Sequence, residues 1–185
     1  LLAYVFARQG RNFGVHSRFL DGTVLEPGFE LDELCAPVIA LERYVSETGD
    51  AAFAAGPAVR SGLERILSTL EEKKHPEIEL YRTFLQPTDD LHNHPYLTYD
   101  NALVWRALRA LAALLSRPEL LTRAAAVRAA VYEHCVREKD GKRFFAWSVD
   151  LEGRYDVYDE PPGSLQLLPF YGFCEADDEV WQNTV

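Results

Sequence analysis

A chain of 185 residues, 48% hydrophobic and 26% charged, has the length and balance of one globular domain with a real core. Its formal net charge of −10 argues against nucleic acid and anionic membranes, both of which select basic surfaces, and no apolar run is long enough to span a bilayer. The three cysteines, Cys35, Cys135 and Cys174, are far apart and sit in apolar contexts, so they read as buried thiols rather than a disulfide framework or a zinc ribbon.

Residues 1–28 mix short apolar runs with turn signals, "RQGRN", "LDGT" and "EPG", and read as strand and loop. From Leu31 the period changes. Leu34, Val38, Leu41 and Val45 step at helical spacing, and Gly49 in "ETGD" is placed to close the helix. Pro37 is tolerated only near a first turn, which predicts that the regular helix starts around Leu34, with Asp32 and Glu33 at its mouth. A second helix is predicted over 57–73, with Val59, Leu63, Ile66, Leu67 and Leu70 as its stripe. The stretch 75–97 breaks the pattern, with room for a short strand at its centre. A third, more apolar helix is predicted over 99–116. "SRPEL" then punctuates, Ser116 capping and Pro118 entering the first turn of a fourth helix that runs to about 137. "KDGKRFFAWSVDLEGRYDVYD" alternates and turns at "DG" and "EG", which predicts a β-hairpin, and "PPGSLQLLPFYGFC" predicts a short buried helix. Helices in antiparallel pairs, with acid- and aromatic-rich loops between the pairs, predict a helical toroid or solenoid with its function in those loops. The more charged second and fourth helices would lie outside and the third inside.

Three constellations carry chemistry. In "FELDELCAP", Glu30, Asp32 and Glu33 alternate with large apolar residues. Acids at a helix entrance complement the dipole and the free N–H groups, which accounts for Glu30 or Glu33. A carboxyl walled by Phe29 and Leu31 would also keep its proton by desolvation and could donate it to a leaving oxygen. The loop "PTDDLHNHPYLTYDN" gathers Asp89, Asp90, His92, His94, Tyr96, Tyr99, Asp100 and Asn101. Nothing in it fixes a metal-ligand geometry. Carboxylates and amides that pair with hydroxyls, beside aromatic faces, suit a polyhydroxylated ligand. In "VYDEPPGSL", Asp159, Glu160 and Ser164 border an acidic turn. No nucleophile elbow or phosphate-cradling glycine pattern is present.

Together "FELDELCAPVIALERYVSETGD", "LQPTDDLHNHPYLTYDNAL" and "FFAWSVDLEGRYDVYDEPPGSLQLLPFYGF…DDEVWQNTV" resemble six-hairpin glycosidases, and among them the exo-α-mannosidases of glycoside hydrolase family 125. The resemblance implies a mainly α fold, helical hairpins of an (α/α)6 toroid with a small β-hairpin. It implies that residues 1–185 are part of a single catalytic domain, with the visible helices only part of the toroid and the chain a piece of a longer protein. It implies inverting hydrolysis of terminal α-mannosides without metal or other cofactor, with a carbohydrate substrate and neither nucleic acid nor membrane as partner. By the resemblance the general acid lies in "ELD-x-LC-x-P", Asp32 first and Glu33 as the alternative. Asp89, Asp90, Asp159, Glu160 and Ser164 match loops that shape the sugar pocket. The general base, which an inverting enzyme places roughly 6.5–9.5 Å from the acid, would lie past Val185. Another α-glycoside, as in glucoamylase-like toroids, and a non-catalytic carbohydrate-binding fragment are the competing expectations. The unpaired cysteines lean toward a cytoplasmic location.

Overall fold

The helical stripes between residues 31 and 137 fold into four long helices in the computed structural model, which describes residues 1–8, 10, 12–19, 21–157 and 163–185. A short helix, α1 (Leu2–Arg8), leads into an antiparallel hairpin of β1 (Val15–Arg18) and β2 (Val24–Phe29). Then come α2 (Leu31–Thr48), the single turn α3 (Ala51–Ala54) and α4 (Pro57–Lys73). A long loop reaches β3 (Tyr96–Leu97), α5 (Thr98–Leu115) and α6 (Glu119–His134). The chain closes with the hairpin β4 (Val136–Lys139) and β5 (Lys142–Phe145), then β6 (Ser148–Val149), β7 (Tyr155–Asp156), a 3-10 turn at Leu165–Leu167 and α7 (Glu179–Gln182).

α5 is the inner helix. Fourteen of its side chains are buried, and it packs against α2 on one side and α6 on the other. α4 and α6 each bury one stripe and leave the rest to solvent, as outer helices do. Gly49 closes α2 in the left-handed conformation, φ 72°, with its N–H on the Val45 carbonyl. The "DG" signal holds as well: Asp140 and Gly141, with φ of 53° and 75°, turn β4 into β5 with Lys139 opposite Lys142.

Several expectations are corrected. Leu2–Arg8 is helical rather than strand or loop, because Phe6 is buried where Gly62 of α4 leaves room. A Cβ on Gly62 would stand 2.6 Å from the Phe6 ring. Seven residues are too few to show a readable period. α2 starts at Leu31 and carries Pro37 inside it, so Asp32 and Glu33 occupy its first turn. The missing N–H of Pro37 withdraws one helical bond from the Glu33 carbonyl, a local loss that the buried stripe of Leu31, Leu34, Val38 and Leu41 offsets. Ser116 closes α5 at φ 55° instead of capping α6. After Gly163 there is only a 3-10 turn, with Leu165, Leu168 and Phe173 buried and Phe170 exposed.

The stretch 75–95 forms isolated bridges rather than a strand, Lys74 with Tyr81, Glu30 with Leu85 and Leu85 with Leu91. β6 pairs with both β3 and β7, and the Thr98 N–H donates to the Trp147 carbonyl at 2.9 Å. The buried Trp147 indole N–H reaches Gln86 Oε1 at 3.2 Å, which fixes the 83–90 loop over the start of α5. No helix among the described residues is long and apolar enough to cross a membrane.

Candidate active site

Three segments meet at the N-terminus of α2: the β1–β2 hairpin, the "FELD" entrance and the 83–90 loop. Glu30 donates its N–H to the Gly14 carbonyl at 2.9 Å, and Leu31 donates its N–H to Thr83 Oγ1 at 3.1 Å. The Leu85 N–H reaches the Phe29 carbonyl at 3.0 Å. Gly28 lets Leu85 approach, since a Cβ there would lie 2.4 Å from its Cδ1.

Glu30 stands in the N-cap position but makes no capping bond. Its buried carboxylate faces His16 from β1, with Nδ1 3.0 Å from Glu30 Oε1 and 3.1 Å from Asp89 Oδ1. On the other side of the ring Nε2 is 3.3 Å from Glu26 Oε2. Burial, and then the negative charge of Asp32, push the Glu30 carboxyl up to about 7, with His16 opposing. Burial pulls the His16 imidazolium down, but Glu30, Asp89 and Glu26 outweigh it and raise its pKa.

Asp32 lies in the first turn as well, on a different face of α2. Leu31, Leu34, Cys35, Val38 and Leu41 pack inward, whereas Asp32, Ala36, Ile39, Ala40 and Arg43 follow one another along the opposite stripe. That stripe forms one wall of a cavity of about 370 Å³, and Tyr99, Leu103, Phe170 and Tyr171 form the other. The alanines leave the space. Burial first, and then the charge of Glu33, push the Asp32 carboxyl up to about 6, and its Oδ1 is buried without a hydrogen bond. It is the only carboxylate among the described residues lining this cavity. A carboxyl that keeps its proton close to neutrality, in an aromatic-walled pocket, is equipped to protonate a leaving oxygen.

Asp100 lies beneath, fully buried in the first turn of α5, with neither oxygen hydrogen-bonded. Burial, and then the charges of Asp32 and Glu30, hold its carboxyl well above the usual 3.8. A raised pKa means the folded protein keeps a proton that the unfolded chain gives up. The stability so gained is complete below the unfolded value and is lost as pH climbs toward the folded one. Asp100→Asn has the shape of the neutral acid and does not titrate. Its stability relative to the wild type is therefore expected to improve as pH rises above about 4, measured by urea unfolding; a variant that loses ground with rising pH would show that the fold relies on ionised Asp100.

The other residues singled out in the sequence divide. Glu33 turns away to Arg18, 3.5 Å from Nη2. Asp89, at φ 67°, joins the His16 cluster, and Asp90 stays exposed on the same loop. Ser164 accepts the Gln166 N–H and caps the 3-10 turn. Asp159 and Glu160 lie outside the described residues. His92 and His94 do not converge: His92 Nδ1 lies 2.5 Å from the His94 carbonyl, and His94 Nε2 is 3.9 Å from Asp156. Asn101 is not on a binding rim but fully buried. All three cysteines are free and buried, and burial raises the Cys35 thiol well above its usual value, so it is no nucleophile. His16 had no readable signal, since one histidine in a poorly patterned stretch becomes meaningful only when the hairpin folds back. Asp100 had one: it extends the stripe of Leu103, Val104 and Ala107 backward by one turn.

Residues 73–185, more than half of the chain, match the family described as metal-independent alpha-mannosidases, GH125. The chain belongs to glycoside hydrolase family 125. The GH125 match takes in the 83–90 loop, α5, α6 and the C-terminal segments, whereas His16, Glu30 and Asp32 precede it. A Streptococcus pneumoniae metal-independent alpha mannosidase, solved as a non-productive complex with alpha-1,6-mannobiose, superposes with a TM-score of 0.77 at 19% identity, over 99% of this chain and 55% of its own. A bacterial glucoamylase complexed with acarbose gives 0.75 at 14% identity, over 98% of this chain and 28% of its own. A GH78 family rhamnosidase of Bacillus sp. GL1 gives 0.62 at 19% identity, over 82% and 17%. These likenesses show the fold: the helical hairpins of this GH125 chain are those of an (α/α)6 toroid. The chain spans about 55% of the pneumococcal enzyme's length. No curated protein sequence matches it.

Proposed function

We propose that this GH125 chain carries the proton-donor half of an inverting exo-α-mannosidase site, with Asp32 as general acid. The observation that carries the reading is Asp32 itself, held near a pKa of about 6 in a cavity walled by Tyr99, Phe170 and Tyr171. In the proposed step the Asp32 carboxyl gives its proton to the glycosidic oxygen as the C1–O bond breaks. A water attacks C1 from the opposite face and passes its own proton to a base. The aromatic rings cover the C–H face of the sugar, and polar groups of the 83–90 loop, Asp90 among them, meet its hydroxyls. On the family resemblance, Asp159, Glu160 and Ser164 are proposed as further groups that meet the sugar hydroxyls. The family resemblance is the support for a base outside this chain, with Glu160 as the local substitute to test.

The test is a panel of aryl α-mannoside, α-glucoside and α-rhamnoside, assayed with the chain in the form that spans the whole toroid and in the presence of a chelator. The expected outcome is mannose release that the chelator leaves unchanged, with the other two sugars turned over far more slowly. Preference for the glucoside would move the activity to a glucoamylase-like α-glycosidase, and turnover of none would favour a carbohydrate-binding role.

A further inference from the structure

We propose that His16, Glu30 and Asp89 form a binding site for a divalent transition-metal cation of the Zn2+ type. The inference does not depend on the glycosidase reading. It starts from a mismatch of hydrogen-bonding partners. Glu26 Oε2 lies 3.3 Å from His16 Nε2, which holds the neutral ring's one proton on that nitrogen once the imidazolium gives up the other. Nδ1 is then left with its lone pair, and it faces Glu30 Oε1 at 3.0 Å and Asp89 Oδ1 at 3.1 Å. The three atoms lie within 4.8 Å of one another. Three acceptors turned toward one point repel unless a proton or a cation sits among them. The Glu30 side chain is only 2% exposed, so water cannot screen it. Neither Glu30 Oε1 nor His16 Nδ1 has a hydrogen bond of acceptable geometry.

The spacing fits an ion. Nitrogen and oxygen ligands about 2.0–2.1 Å from one tetrahedral cation are about 3.3 Å apart, so the observed 3.0 and 3.1 Å need only a small opening of the cluster. One imidazole and two carboxylates form the donor set that suits zinc and its first-row neighbours better than magnesium. A carboxylate on the far ring nitrogen, here Glu26, is the usual outer support of a metal-bound histidine. Asp89 is 62% exposed, which leaves an entry path and room for water ligands. The β1–β2 hairpin, the α2 entrance and the 83–90 loop each supply one ligand, so the cation would clamp the three segments together. It would compete for the cluster with protons.

The test is calorimetric titration of Zn2+ into the chelator-stripped chain at about pH 7.5 and about pH 6. One equivalent is expected to bind, more tightly at the higher pH because the ligands must lose their protons. His16→Gln and Glu30→Gln should each weaken binding at least about tenfold, with folding checked by circular dichroism. His92→Ala should leave it unchanged. His16→Ala serves as a second variant should glutamine find another contact. Failure of the wild type to bind a stoichiometric ion, or equal affinity in the His16 and Glu30 variants, would overturn the site. Because the readout is heat of binding, a failed mannosidase assay leaves this result standing.

Discussion

Asp32→Asn is expected to lower turnover of an aryl α-mannoside with a poor leaving group by about 10²–10⁴-fold, the range general-acid catalysis commands. The loss should depend on the leaving group. A dinitrophenyl mannoside expels a stable phenolate that needs no proton, so its rate should survive largely intact. The pH profile carries a second signature. Asp32 must be protonated to act, so the wild-type rate should fall as pH rises through about 6, and this limb should vanish in the variant. A leaving-group-dependent loss in Asp89→Asn or Asp90→Asn, with Asp32→Asn unaffected, would move the donor to the 83–90 loop.

The second large effect is on stability. Asn101 is buried in the first turn of α5 and binds three backbone groups. Its Oδ1 accepts the Tyr81 N–H at 2.7 Å, and its Nδ2 donates to the Tyr81 carbonyl at 3.0 Å and the Leu97 carbonyl at 2.8 Å. Asn101→Ala strands all three in a dry interior, at about 1–3 kcal/mol for each unsatisfied group before relaxation. A net loss of about 3–5 kcal/mol is expected, a large share of the 5–15 kcal/mol typical of a domain. Urea unfolding measures it, and a loss under about 1 kcal/mol would show that water or neighbouring groups replace the amide. The effect should reach the site, because Tyr81 anchors the segment that continues into Thr83, Gln86 and Asp89. Tyr81 is held from the other side as well, its hydroxyl contacting Glu79 at 2.7 Å and Arg123 at 2.8 Å.

Much of this arrangement was legible in the residues, for reasons that differ by element. The stripes of α2, α4, α5 and α6 are long enough for a 3.6 period to stand out, and "DG" demands a turn geometry that few other pairs accept. α1 and the 3-10 turn at Leu165 were not legible, because three to seven residues carry no period and tertiary burial decides their conformation. Asp32 was placed at the mouth of α2 on the strength of Pro37. The helix in fact accommodates that proline, yet Asp32 still faces the cavity, since Ala36 and Ala40 leave the space beneath it. Glu30 shows the opposite case. A helix-entrance acid ordinarily caps, but here its side chain turns to His16, a partner fourteen residues upstream that only the folded hairpin reveals. Asn101 and Asp100 looked like rim groups of a polar loop. α5 carries them inward because the helix begins at Thr98 and its apolar face extends through them.

The most direct test of the central claim is the anomer of mannose first released from an aryl α-mannoside, followed by proton NMR with the chain in its complete toroid. The expected product is β-mannose, converting to the equilibrium mixture only afterwards, since a water delivered opposite an acid at Asp32 inverts C1. Initial release of α-mannose would contradict it, because that outcome requires a covalent intermediate and a nucleophile close to the acid rather than a water between two carboxylates.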